Sequence, residues 1–215
     1  MSLIVVVTGA TGDAGRAVCA ALVRSGETVV AVGSDEGRLA SVDASARFVA
    51  DLADVSSTES LAARVRAEVG RVDGLVHLVG GWRGGQTDAD FLWLERRILT
   101  TLRYATLAFR DDLSASPAGR LAIVGSSSAA KPTWSNAAYA TVKSAADAWI
   151  RAVASGWRKG GTAAAVTLVV TTIGDGGTPP SAVAEAVTGL WSRPAGELNG
   201  TRLDLTASAT ERHNE

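Results

Sequence analysis

The sequence predicts an α/β fold, a doubly wound parallel sheet of seven strands with helices on both faces, and two features carry that expectation. Short, apolar, β-branched runs alternate with segments of helical spacing, and the first run opens directly into a glycine-rich turn. Leu3 to Val7 reads as the first strand and Ala14 to Ser25 as the helix behind it. Thr28 to Val32 follows as a second strand, Ala46 to Ala50 as a weaker third, and Thr58 to Val69 as the next helix. Leu75 to Val79 is the fourth strand, answered by a long helix from Phe91 to Leu113. Leu121 to Val124 then leads to the helix Ala137 to Trp157, Val166 to Val170 to the helix Ser181 to Trp191, and Arg202 to Leu205 closes the series. Strand followed by helix throughout implies parallel pairing, because right-handed crossovers leave few other solutions.

Composition narrows the function classes. The 215 residues, 47% hydrophobic, suffice for one sizeable core, and the expected domain is 1–206 with a polar tail at 207–215. Lys plus Arg number 21 against 22 Asp plus Glu, so a net charge of −1 offers nucleic acid or an acidic membrane no long-range attraction. A single Cys forms no intramolecular disulfide, and with only two His an ordinary zinc site would need mostly carboxylate ligands, so no metal is expected. MSLIVVVTGA lacks the features of a secretory signal, and no apolar run approaches the roughly 20 residues of a membrane span. The expectation is a soluble, cytoplasmic protein acting on a small molecule, with no nucleic acid and no membrane as partner.

The turn after the first strand is Thr8-Gly9-Ala10-Thr11-Gly12-Asp13-Ala14-Gly15. Glycines spaced by three, set between a strand and a helix, allow a tight turn, close approach to a pyrophosphate, and a helix start whose free N–H groups face the anion. The alternative is a plain strand-to-helix turn. In a Rossmann-like sheet the second strand then selects the dinucleotide: an acid at its end accepts from the ribose 2′-hydroxyl of NAD. Here the strand ends in Gly33-Ser34, with Asp35 later. That favours NADP, whose 2′-phosphate Ser34, Arg38 or Arg16 would contact, while NAD stays open through Asp35. Asp51, in Ala50-Asp51-Leu52, is either a partner for the adenine edge or a solvated carboxylate opening a loop.

Tyr139 and Lys143 stand four apart early in a helix, hence on one face. A phenol titrates near 10, and a neighbouring ammonium favours its ionised form. Ser126, thirteen residues before Tyr139, ends the fifth strand at the carboxyl edge, where ligands bind in such sheets. With the glycine turn and Asp51, these residues resemble the short-chain dehydrogenase/reductase family over nearly the whole chain. The resemblance implies an NAD(P)-dependent oxidoreductase in which Tyr139 exchanges a proton with the substrate oxygen, Lys143 tunes that phenol and holds the nicotinamide ribose, and Ser126 orients the substrate. The cofactor contacts implied are Gly9, Thr11, Gly12, Asp13, Ala14, Gly15, Ser34, Asp51, Leu52, Gly80, Gly81, Tyr139, Lys143 and Thr172.

Departures from the family pattern point to a subgroup. The usual Asn-Asn-Ala-Gly is His77-Leu78-Val79-Gly80, the catalytic Asn of the next helix aligns with Ile98, and Thr171-Thr172 replaces Pro-Gly after the sixth strand. Gly174 to Pro180 is too short for the family's helical substrate lid, so an open site is expected. Gly80-Gly81-Trp82-Arg83-Gly84-Gly85, the Gly-x-x-Gly-x-x-Gly turn and the ending Asn199-Gly200-Thr201 resemble dihydropteridine reductase, which reduces quinonoid dihydropterin. In that reading Trp82 is an aromatic wall for the substrate ring; otherwise it is a hydrophobic plug or a dimer contact. Ser126 suits a small carbonyl equally well. His77 reads as packing near the cofactor, Asp147 as a helix-surface ion pair, Glu95-Arg96-Arg97 as a solvated face, and Trp93, Trp149, Trp157 and Trp191 as core or interface. The two long helices resemble those of the family's four-helix interface, implying a homodimer or homotetramer. The rival class is a dinucleotide-binding sensor or scaffold without turnover.

Overall fold

Burial is continuous along β1 (Ile4–Thr8) while the face alternates: Val5 and Val7 serve the core on one side of the sheet and Val6 the core on the other. The computed structural model describes residues 2–206, and the expected tail at 207–215 lies outside the described residues. β2 (Thr28–Gly33), β3 (Ala46–Val49), β4 (Gly74–His77), β5 (Arg120–Ser126), β6 (Ala164–Val170) and β7 (Arg202–Asp204) complete a parallel sheet in the order β3-β2-β1-β4-β5-β6-β7. The chain builds outward from β1 to β3, then returns to the other side of β1 with β4. That reversal opens a crevice at the carboxyl ends of β1 and β4.

α3 (Val55–Glu68), α5 (Thr101–Ala115) and α6 (Ala137–Trp157) cover one face, packing Leu61, Phe109 and Ile150 in the same core as Val6, Leu75 and Leu121. α1 (Asp13–Arg24) and α7 (Pro180–Thr188) cover the other, where Val18, Leu22 and Val183 share a core with Val5, Val29 and Val166. Among the described residues no helix is long and apolar enough to cross a membrane.

Three differences from the sequence expectations have physical causes. α2 (Glu36–Ala40) and α8 (Ala195–Leu198) are too short to show a helical period; α2 forms because the Asp35 carboxylate accepts the Arg38 N–H at 2.8 Å. β4 stops at His77 rather than Val79, because β1 beside it has already entered the glycine turn: Leu78 N–H bonds Thr8 C=O at 3.0 Å and the neighbouring ladder then ends. The expected helix from Phe91 to Leu113 is divided into α4 (Asp88–Leu94), a π-helical turn at Glu95–Thr100, and α5. β-branched Ile98, Thr100 and Thr101 crowd a regular helix here, and the Thr101 hydroxyl donates back to Arg97 C=O at 2.8 Å.

The amino edge of the sheet is locked by a residue that the sequence did not single out. Arg120 opens β5, is 5% exposed, and donates to backbone carbonyls of Leu190 (3.1 Å), Gly119 (2.9 Å), Thr162 (3.1 Å) and Arg193 (3.0 Å). It fastens the α7–α8 connection and the approach to β6 onto β5, and burial pushes its pKa below the ordinary arginine value. Arg120→Met leaves buried carbonyls without donors, so a stability loss of about 3 kcal/mol is expected. A urea unfolding midpoint displaced accordingly at unchanged m-value checks this.

Candidate functional site

The glycine turn is shaped by backbone contact. Gly9 has φ +70°, and a Cβ there would lie 2.7 Å from the Leu78 carbonyl carbon and 2.8 Å from the Val79 nitrogen. A Cβ at Gly15 would run into the Gly9 carbonyl oxygen, so the first turn of α1 lies directly on the loop. Gly12 caps α1 without a side-chain hydrogen bond, which leaves the N–H groups of the first turn without a side-chain partner and available to an anion. Asp13 is exposed beside them, whereas Ala14 and Gly15 are buried under the turn.

A cleft of about 350 Å³ opens in front of this turn. Of the residues expected to bind a dinucleotide, Gly9, Thr11, Gly12, Ser34, Asp51, Leu52 and Gly80 line it. Asp13, Ala14, Gly15, Gly81, Trp82, Ser126, Tyr139, Lys143 and Thr172 lie outside the lining: Gly81 passes close to Trp93 and Arg97, and Trp82 is 70% exposed and folded over Gly84. Arg38, Trp93, Arg96, Arg97 and Thr101 also line the cleft. Arg96 and Arg97 are therefore part of the cleft wall and not merely a solvated face, and Trp93 belongs to that wall as well. The π turn places one more residue in a turn than an α-helix does, which allows both arginines to reach the cleft while Ile98 is buried. Arg97 donates to Gly80 C=O at 2.6 Å, and its guanidinium lies 5.3 Å from the Trp93 ring centre, with Arg83 at 4.5 Å from the same ring.

At the far end of the cleft, Asp35 is engaged as the cap of α2, and Arg16 ties Thr11 C=O to the Ser41 hydroxyl (3.0 Å) and Arg38 C=O (3.2 Å). Arg38 is the guanidinium that lines the cleft beside Ser34.

β5 and α6 bring Ser126, Tyr139 and Lys143 together. The Lys143 ammonium is buried, donates to Val124 C=O at 2.8 Å, and lies 5.8 Å from the Tyr139 ring centre. Burial lowers its pKa to about 8. Burial also lifts the Tyr139 phenol above its ordinary value, opposed by the nearby Ser126 hydroxyl. Ser126 Oγ accepts the Ser128 N–H at 3.2 Å, so its own proton remains free to donate. Asp147, one turn past Lys143, is 5% exposed and pairs with Arg202 on β7, so it ties the helix to the last strand instead of forming a helix-surface pair.

His77 joins these parts. Its Nδ1 lies 2.8 Å from the Thr8 hydroxyl and its Nε2 3.2 Å from the Thr101 hydroxyl. Because Thr101 gives its own proton to Arg97 C=O, it accepts from Nε2–H, and Thr8 donates to Nδ1. The ring is therefore neutral, and burial together with the charge on Lys143 lowers its pKa to about 3.

Residues 3–181 match the family of short chain dehydrogenases. The chain belongs to that family. A curated relative, 2,3-dihydro-2,3-dihydroxybenzoate dehydrogenase of Bacillus subtilis (strain 168), is 30% identical over 150 residues, which are 62% of this chain but only 56% of that protein's length. The fold is shared with an oxidoreductase of the short chain dehydrogenase/reductase family from Burkholderia thailandensis, at TM-score 0.84 and 22% identity over 98% of this chain and 93% of the other. It is shared also with an NAD+-bound xylitol dehydrogenase, at TM-score 0.84 and 17% identity over 95% and 97% of the two chains.

The titration of His77 has a consequence for stability. The unfolded chain takes up a proton on this ring below its ordinary pKa of 6.5, which the native state refuses until about pH 3. The stability associated with the neutral ring is complete above pH 6.5 and is lost as pH falls toward 3, with roughly 2–3 kcal/mol gone by pH 4.5. Unfolding free energies at pH 7 and 4.5 should therefore differ less in His77→Asn than in the parent. An equal difference would mean that the imidazole is protonated inside the fold.

Proposed function

We propose that this short chain dehydrogenase is an NAD(P)H-dependent reductase that delivers hydride to a small carbonyl or a quinonoid dihydropterin-like acceptor, with Tyr139 as general acid. The observation that carries this reading is the convergence of Ser126, Tyr139 and buried Lys143 at the carboxyl edge of a sheet whose glycine turn presents uncapped helix amides. The residues present fit a dinucleotide: the Gly9 to Gly15 turn admits a diphosphate, Leu52 offers an apolar surface to the adenine, and Asp51 a carboxylate to its edge. A bound reduced nicotinamide supplies the hydride.

The protein's part is to hold and move a proton. The raised phenol pKa keeps Tyr139 protonated at neutral pH, the form needed to donate to an acceptor oxygen as hydride reaches the neighbouring carbon. Ser126 donates a second hydrogen bond to that oxygen, its own oxygen being anchored by the Ser128 N–H. As the phenol gives up its proton, the Lys143 ammonium, fixed on Val124 C=O, offsets the charge left behind. The exposed Trp82, on the loop after β4, is available as an aromatic wall for a flat ring. A second copy of the chain packs on the long helices around Phe91 to Leu113 and Ala137 to Trp157, giving a homodimer or homotetramer, with Phe91, Leu92 and Leu107 exposed on the first.

NADP is the preferred dinucleotide in this reading. Asp35 is withdrawn into the α2 cap, and Ser34 and Arg38 are left at the ribose end of the cleft. Arg38→Ala should lower the ratio of NADPH to NADH affinity by about tenfold, the size of one charge-assisted hydrogen bond, as read by titration with each cofactor. An unchanged ratio would return the preference to open competition.

The acceptor is tested by following NADPH and NADH absorbance with quinonoid dihydropterin and a panel of small carbonyls. Tyr139→Phe should reduce turnover by about 10²- to 10⁴-fold while cofactor affinity stays near that of the parent. An unchanged rate removes Tyr139 from the mechanism, and cofactor binding without consumption by the parent favours a sensor.

A further inference from the structure

The exposed ion pair between Arg96 and Asp51 joins two elements that are far apart in sequence and face each other across the cleft. Asp51 stands in the loop after β3, and Arg96 in the π turn before α5; Arg96 Nη2 lies 3.0 Å from Asp51 Oδ2, and both residues line the cleft. The other carboxylate oxygen of Asp51 accepts the Ala53 N–H at 2.9 Å, so the group is held at both ends. The π turn is itself fixed to the cleft's inner wall through Arg97 on Gly80 C=O, and the first residue of α5 behind it, Thr101, is fixed on His77. Arg96 is thus carried by an anchored segment and spans outward to the β3 loop. Leu52, Leu78 and Val79 line the same cleft and give it an apolar bed, while Tyr139 and Lys143 lie outside its lining.

We propose that Arg96 and Asp51 form a strap across the outer rim of the cleft that retains the adenine half of the dinucleotide. The proposal rests on the dinucleotide reading above and extends it to a residue on the π turn. The guanidinium orients the Asp51 carboxylate toward the adenine edge and presents its own plane to the adenine face, a geometry suited to stacking. The strap acts on the adenine half alone, because in the dinucleotide reading the nicotinamide half lies by Lys143 and Tyr139, outside the lining of this cleft. An exposed pair of this kind supports an effect of about fivefold.

The test compares three probes on the whole protein, by quenching of tryptophan fluorescence or by calorimetry: NADPH, its adenine half 2′,5′-ADP, and reduced nicotinamide mononucleotide. In Arg96→Gln the dissociation constants for NADPH and 2′,5′-ADP should each rise about fivefold while that for the mononucleotide does not move, and Arg96→Lys should recover part of the loss. Arg96→Gln combined with Asp51→Asn should weaken NADPH less than the product of the two single effects, since either change already opens the strap. Equal weakening of mononucleotide and dinucleotide, no weakening at all, or independent effects of the two substitutions would overturn the strap. Failure of the parent to bind NADPH and NADH would instead overturn the dinucleotide reading itself, a different result from a parent that binds and a variant that binds equally well.

Discussion

A neutral imidazole buried between two threonine hydroxyls holds the working edge of this sheet together. His77 reaches Thr8 at the end of β1 and Thr101 at the start of α5, and it lies close enough to Lys143 to feel its charge. The glycine turn, the end of β4 and the wall of the cleft are therefore positioned by one ring. Each hydroxyl has a defined role, Thr8 as donor and Thr101 as acceptor, because Thr101 has already given its proton to Arg97 C=O. The arrangement works only while the ring stays uncharged, since a second N–H on Nδ1 would face a hydroxyl oriented as a donor.

The same burial that neutralises His77 acts on Lys143 and Tyr139. Lys143 and Tyr139 are both moved toward their neutral forms by desolvation, the amine downward and the phenol upward. In the free protein the phenol is thus held in its protonated form. From sequence, Lys143 is expected to lower the phenol pKa. The structure adds that burial works in the opposite direction first.

How much of this was legible follows from which signals are local. β1, β2, β5 and β6 are announced by uninterrupted apolar runs because both their faces are covered, and the Tyr139 to Lys143 spacing is a direct reading of helical geometry. Three features were hidden. The π turn leaves no periodicity of its own, since Ile98-Leu99-Thr100-Thr101 would fit an ordinary helix, and without it Arg96 and Arg97 look like a solvent face. Asp147 resembles a helix-surface partner until β7, 55 positions later, brings Arg202 to it. Arg120 resembles a charged strand end, and its partners are carbonyls from three separate stretches that no side-chain pattern reports.

Strand β5 carries Arg120 at its first residue and Ser126 at its last, about 20 Å apart along the strand. One end holds the fold shut through backbone carbonyls, and the other lies beside Tyr139 and Lys143. Stability and chemistry thus occupy opposite poles of a single rigid segment, beyond the distance at which substitutions ordinarily couple. The loops at the carboxyl edge are accordingly free to drift toward new acceptors without eroding the lock beneath them, which gives this scaffold room to evolve.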